Sequence, residues 1–185
     1  MSTCRIGSLC TGYGGLDLAV MEVLGGELAW CADNDPHVSA ILAARFPVPN
    51  LGDIANADWA AVPAVDVITA GFPCQDISFA GRGAGLTEGT RSSAWNHVMD
   101  AVRDLEPALL VVENVAALAW PGRGMGRVLA DLAAAGYDAA WCRLRASDVG
   151  APHPRERVFL AAHPAGPRPP RRAAARPAPG RRASG

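Results

Sequence analysis

Four groups of residues in this chain have the types and spacing to do chemistry. Gly71-Phe72-Pro73-Cys74-Gln75 follows the apolar run Val65 to Ala70, which places Cys74 just past a strand with Pro73 fixing the backbone before it. That is a sound seat for a nucleophilic thiol. Glu113-Asn114 follows the apolar run Leu109 to Val112, and a carboxylate at the end of a buried strand is partly desolvated, a setting that suits proton sharing near neutral pH. Arg155 and Arg157, at i and i+2 of an extended chain, project to one side, where both could face one substrate. The turn Cys10-Thr11-Gly12-Tyr13-Gly14-Gly15 follows a first strand, and Asp33 near the end of a second is placed to accept from a ribose diol. Together they suggest a cofactor containing adenosine. The spacing differs from the dinucleotide fingerprint G-x-G-x-x-G, because Asp17 stands where the third glycine should be. Taken singly, each group has a plainer account: a structural glycine turn, a small packed cysteine, an ion-paired strand-end glutamate, a solvated charged edge.

The elements that must position these residues alternate between short apolar runs and segments of helical period, the pattern of an α/β sheet with crossover helices. Seven strands are expected: Ile6 to Cys10, Leu28 to Ala32, a short one at Gly52 to Ile54, Val65 to Ala70, Ala108 to Val112, Ala139 to Leu144 and Arg157 to Ala162. A first helix carries Leu16, Val20, Val23 and Leu24 on one face and stops at Gly25-Gly26. A second opens with Asp35-Pro36, buries Val38, Ile41, Leu42 and Phe46, and ends before Pro47. Two more carry Val98, Met99, Val102 and Leu105, then Val128, Leu129 and Leu132. An open, mostly parallel sheet binds ligands at the carboxyl ends of its strands, which is where three of the four groups fall, whereas Arg155 and Arg157 open the last strand.

Length and charge bound the rest. A chain of 185 residues suits one catalytic domain, assigned to residues 1–162, without a second module. No hydrophobic leader or membrane span is legible, and five cysteines without C-x-x-C spacing argue against a disulfide framework or a metal site, so a cytoplasmic protein with reduced thiols is expected. Eleven Arg against eighteen acidic residues leave the first 162 residues at −7, whereas residues 163–185 add six Arg and no acid. An acidic body of that kind does not bind a polyanion by bulk charge; local Arg placement must do it. The last segment is rich in Pro, Arg and Ala, has no large apolar residue, and is expected to be disordered. Two readings of it stand: a solvated or frameshifted tail from GC-rich coding DNA, or an Arg-rich arm that adds nucleic-acid affinity.

The ordered set SLCTGYGGLDLA, ADNDP, GDI, AGFPCQDIS, TRSSAW, VVENV and GAPHPRERVFL resembles the cytosine-C5 DNA methyltransferases over about residues 6 to 162. The resemblance implies a Rossmann-like S-adenosylmethionine-dependent methyltransferase fold, a mostly parallel seven-stranded sheet with helices on both faces. It also implies double-stranded DNA as partner, with methylation of carbon 5 of a flipped-out cytosine, of the kind used in restriction-modification. Carried over residue by residue, Gly12, Tyr13, Gly14 and Gly15 match the methionine-side loop of the cofactor site, with Gly71 and Pro73 beside it. Asp33 matches the ribose ligand, Asp53 the acceptor for the adenine amino group, and Ile54 its apolar neighbour. Cys74 matches the nucleophile at carbon 6, Glu113 the acid that holds N3 and the exocyclic amine, Arg157 the donor to O2, and Arg155 its support. Cys10 stands where the family usually has Phe, and His153 where it commonly has Gln. A target-recognition region and the terminal segment that completes the cofactor site are not found in residues 163–185. The resemblance therefore leaves three readings: a catalytic half completed by a second polypeptide, an inactive truncated remnant or cofactor-binding fragment, and an RNA cytosine-C5 methyltransferase.

Overall fold

In the computed structural model, which describes residues 3–73 and 94–166, one mixed sheet organises the chain. Its strands are β1 (Arg5–Leu9), β2 (Glu27–Ala32), β3 (Val67–Ala70), β4 (Leu109–Val115), β5 (Tyr137–Arg145) and β6 (Glu156–Pro164). The helices are α1 (Gly15–Leu24), α2 (Pro36–Arg45), α3 (Ala94–Leu105) and α4 (Met125–Ala134). None of these is long and apolar enough to cross a membrane. The spatial order is β2-β1-β3-β4-β6-β5, with β1, β2, β3 and β4 mutually parallel and β6 antiparallel to both its neighbours. The chain runs outward from β1 to β2 and then returns to lay β3 on the other side of β1. That reversal opens a crevice beyond the carboxyl ends of β1 and β3, the ligand-binding position of such sheets.

Among the described residues the sheet has six strands, not seven. Gly52 to Ile54 forms no strand: Gly52 is left-handed at φ +74°, and the Asp53 carboxylate accepts from the Ala55 N–H at 3.0 Å, closing a turn. Just before it, Asn50 forms an isolated bridge with Cys31 of β2, and Ile54 packs in the core with residues of β1, β2 and β3. Several strand boundaries also move, two of them at the site. Cys10 leaves β1 because its φ is +51°, a left-handed value that no extended strand tolerates. In β4 the ladder continues through Val115, since β6 pairs with it from Leu110 to Val115, so Glu113 and Asn114 lie within the strand rather than after it.

Helices cover both faces, as expected. Alternate residues of a strand point to opposite sides. Thus Val67 joins a cluster with Ile6, Val20, Leu42 and Phe46 under α1 and α2, whereas Ile68 joins Trp30, Trp95, Val98, Val128 and Leu132 under α3 and α4. The inner faces of α3 and α4 follow the predicted spacing, and Trp95 Nε1 of α3 donates to Asp131 of α4 at 2.9 Å. In α2, Asp35 accepts from the backbone N–H of His37 and of Val38, a side-chain N-cap with Pro36 at the first position. The stripe on α1 is different from that predicted: Val23 is 81% exposed, and the residues the helix buries are Val20 and Asp17. A carboxylate occupies the place of an apolar side chain there. Ile41 of α2 likewise turns outward.

Candidate active site

The loop after β1 is held by short polar contacts to the end of β2. Thr11 donates its backbone N–H to Ala32 O at 3.2 Å, and its hydroxyl oxygen accepts from the Ala32 N–H at 3.1 Å. Gly12, left-handed at φ +56°, donates to Asp33 Oδ2 at 2.9 Å, while Asp33 Oδ1 accepts from the Asp35 N–H at 3.1 Å. Asn50 clamps the Asp33 backbone on both sides, accepting from its N–H at 3.0 Å and donating to its carbonyl at 3.1 Å. Asp33 is thereby oriented from four directions, and each carboxylate oxygen keeps a lone pair for a further donor.

A cavity of about 530 Å³ opens over this loop, and its walls include Gly12, Tyr13, Gly15, Gly71, Glu113 and Arg155. That size is within the range of small-molecule sites. Asp33 and Asp53 are not among the cavity-lining residues but lie near enough to act on Cys10: its thiol pKa is pushed up to about 12, first by burial and then by the carboxylates of Asp33 and Asp53. At neutral pH Cys10 is therefore an uncharged thiol and offers no second nucleophile. Ile54 is buried in the core cluster below α3, outside the cavity lining. Gly14 also lies outside the lining. Its left-handed φ of +76° and the Phe46 ring 2.6 Å from where a Cβ would sit explain the glycine by packing.

On the opposite wall, β4 and β6 bring the predicted polar residues together. Glu113 pairs with Phe159 in the ladder, which sets Arg157 beside it, and Arg157 Nε donates to Glu113 Oε1 at 2.9 Å. The Glu113 side chain is 28% exposed and ion-paired, so its surroundings are ionic and partly solvated rather than the apolar wall expected of a buried strand end. Arg155, just before β6, lines the cavity itself. Gly71 is the hinge between the walls, since a Cβ there would stand 3.4 Å from Cys10 O and 4.0 Å from Glu113 Oε2.

The approach to the predicted nucleophile is fixed on both sides of its backbone. Phe72 is buried against Trp95 with ring centroids 5.2 Å apart, and its carbonyl accepts from the buried Asn114 Nδ2 at 2.8 Å. The exposed Pro73 follows, and Cys74 lies outside the described residues. Asn114 is thus a positioning residue: β4 turns Glu113 toward the cavity and its neighbour toward the turn that leads to Cys74. Its signal in the sequence was its place directly after Glu113, but only the fold shows what its amide holds.

The family description "C-5 cytosine-specific DNA methylase" matches residues 4–171 of this chain. The chain belongs to that family. Among curated relatives, it is 32% identical over 154 residues to the Type II methyltransferase M.NgoBI of Neisseria gonorrhoeae, covering 82% of this chain and 48% of the relative. It is 29% identical over 156 residues to the Type II methyltransferase M.MspI of Moraxella sp, covering 83% of this chain and 37% of the relative. The chain thus spans about half or less of the length of these relatives. Its fold matches the S. pombe Dnmt2 methyltransferase with a TM-score of 0.70 at 18% identity, over 90% of this chain and 52% of that one. A methyltransferase from Entamoeba histolytica, EhMeth, gives 0.70 at 15% identity, over 90% and 54%.

Proposed function

We propose that this chain carries the catalytic chemistry of DNA cytosine-C5 methylation, with S-adenosylmethionine in the cavity beyond β1 and β3 and a flipped-out cytosine between Cys74 and Glu113. The observation that carries the reading is that one cavity is lined by the glycine loop, by Gly71 at the start of the turn leading to Cys74, and by Glu113, which pairs with Arg157. The cavity fits the cofactor in size, and an oriented Asp33 carboxylate with free lone pairs fits a ribose diol. Gly12, Tyr13 and Gly15 would hold the methionine portion, Asp33 the ribose, and Asp53 the adenine amino group. When bound, the cofactor supplies a methyl group on a sulfonium. Ile54, beside Asp53, is packed in the core.

The protein's part follows from the electronics of cytosine. Carbon 5 is a weak nucleophile while the ring is intact. The Cys74 thiolate forms a bond to carbon 6 as Glu113 passes a proton to N3, which moves the electron pair of the C5–C6 double bond toward carbon 5. Arg157, fixed by its bond to Glu113, donates to O2, and Arg155 supports it at the cavity edge. After carbon 5 is methylated, loss of its proton to a base restores the double bond, breaks the S–C6 bond and returns the thiolate, and N3 gives its proton back to Glu113. The base must leave the duplex because carbon 6 is out of reach in a stacked pair. Recognition of a target sequence by a second polypeptide is part of the same proposal, since the chain to Ala162 carries a charge of −7. Transfer of labelled methyl from S-adenosylmethionine to mixed-sequence DNA, followed by nucleoside analysis, tests it. Label at carbon 5 of cytosine is the expected product; label at an exocyclic nitrogen would contradict the reading.

A further inference from the structure

The inner face of α1 carries a buried carboxylate to which the proposed chemistry assigns no part. Asp17 is 1% exposed, and its Oδ1 accepts from the Thr69 hydroxyl of β3. The Ser8 hydroxyl of β1 donates to the same carboxylate. Ser8 and Thr69 are each 1% exposed, and all three residues line the cavity at the switch between β1 and β3. Burial of a carboxylate is costly unless a counter-charge offsets it. Among the described residues no arginine forms an ion pair with it.

Among the described residues, the titratable groups around Asp17 supply no such charge either. On β2, the Cys31 thiol is pushed up to about 11 by burial, then by the carboxylates of Asp17 and Asp33, and is neutral. After β1, Cys10 is neutral as well. Glu113 and Arg155 line the same cavity from β4 and the approach to β6, and Glu113 is already paired with Arg157. The first turn of α1 contributes only the partial positive charge of its N-terminus.

We propose that Asp17 recognises the positive charge on the methionine end of S-adenosylmethionine, acting through its field from the cavity wall. The proposal rests on the reading of the cavity as the cofactor site. Thr69 and Ser8 are neutral hydroxyls that can donate or accept, so they tolerate an amide as well as a carboxylate and the packing alone does not call for a charge. The cofactor brings the missing counter-charge, and binding draws Asp17 into its ionised form. Burial raises the Asp17 pKa, and the donors from Thr69, Ser8 and its own N–H draw it partly back. A raised folded-state pKa means that the ligand-free protein gains stability as pH falls through it and loses stability as pH rises through it. Cofactor affinity runs the other way, rising with pH over the same window.

The test measures S-adenosylmethionine and S-adenosylhomocysteine affinity by calorimetry across the weakly acidic to weakly basic range, with the melting temperature of the ligand-free protein, for wild type, Asp17→Asn and Thr69→Val. For wild type, S-adenosylmethionine should bind more tightly as pH rises. Asp17→Asn should bind it about tenfold more weakly at the upper end, without pH dependence, and melt no lower than wild type. Thr69→Val, which removes a donor that favours the carboxylate, should move the affinity midpoint to higher pH. A loss larger for S-adenosylmethionine than for the homocysteine product would place the recognised charge on the sulfonium; an equal loss would place it on the amino group the two share. If Asp17→Asn fails to fold, the midpoint of Thr69→Val decides. Wild-type affinity that is flat with pH, or an Asp17→Asn protein that melts lower while keeping the wild-type pH profile, would overturn the proposal. If wild type bound neither ligand, the cavity reading would fall together with it; equal binding by wild type and Asp17→Asn would overturn only the role of Asp17.

Discussion

Glu113→Gln is expected to lower the rate of methyl transfer by about 10²- to 10⁴-fold, the usual worth of a positioned acid–base group. The amide keeps the shape of the side chain and still accepts from Arg157 Nε, so the wall between β4 and β6 stays assembled. What disappears is the proton shared with N3 and the negative charge that orders Arg157. Stability should change by less than about 1 kcal/mol, since both partners are about a quarter exposed and water screens the pair. Cofactor affinity should hold within about threefold, because the groups proposed to bind it sit on α1 and on the loops after β1, β2 and α2. Single-turnover transfer with labelled donor, alongside equilibrium cofactor binding, separates the two. A variant that transfers methyl at the wild-type rate would remove Glu113 from the chemistry, and a loss explained wholly by cofactor affinity would reassign it.

Gly14→Ala should cost about 2–4 kcal/mol of folding stability, a large share of what holds a domain of this size together. Two effects add. At φ +76° an L side chain is strained, and the new methyl would lie 2.6 Å from Phe46 Cε2 and 2.8 Å from Cζ. Phe46 is 7% exposed, packed with the Leu42 and Val20 cluster, and has little room to retreat. Gly15→Ala is the control. A Cβ there meets nothing within 4 Å, and the residue opens α1, so alanine should be neutral or slightly stabilising. Urea denaturation of both variants measures the contrast. Equal stability of the two would mean that Gly14 is not packed against Phe46.

Much of this fold was legible from residue order because the signals were local. Asp35-Pro36 capped α2 as its side chain demands, and the apolar spacing of α3 and α4 matched the faces they bury. What was not legible depended on partners distant in sequence. The extension of β4 through Val115 required β6 to return antiparallel, and that pairing converted Glu113 from a strand-end residue into a strand residue facing Arg157. The supposed strand at Gly52 to Ile54 yielded to an aspartate turn, a local signal that the apolar Ile54 outweighed in the pattern. Within the site, residue types singled out Glu113, Arg155, Asp33 and the glycines, and the structure brings Glu113, Arg155 and most of the glycines to one cavity. Gly14 proved to answer to Phe46, Ile54 to the core, and Asn114 to the turn before Cys74. Each of those roles is a contact between elements, and no spacing within one element encodes it.

The most direct measurement is covalent trapping on DNA that carries 5-fluorocytosine in many sequence contexts, in the presence of S-adenosylmethionine. Fluorine at carbon 5 blocks the final loss of a proton, so a thiolate that has added to carbon 6 stays attached after methyl transfer. A DNA-linked species whose bond maps to Cys74, present for wild type and absent for Cys74→Ser, is the expected result. Methylated cytosine formed from ordinary DNA by Cys74→Ser at the wild-type rate, with no trapped species for either protein, would contradict a mechanism through that thiol.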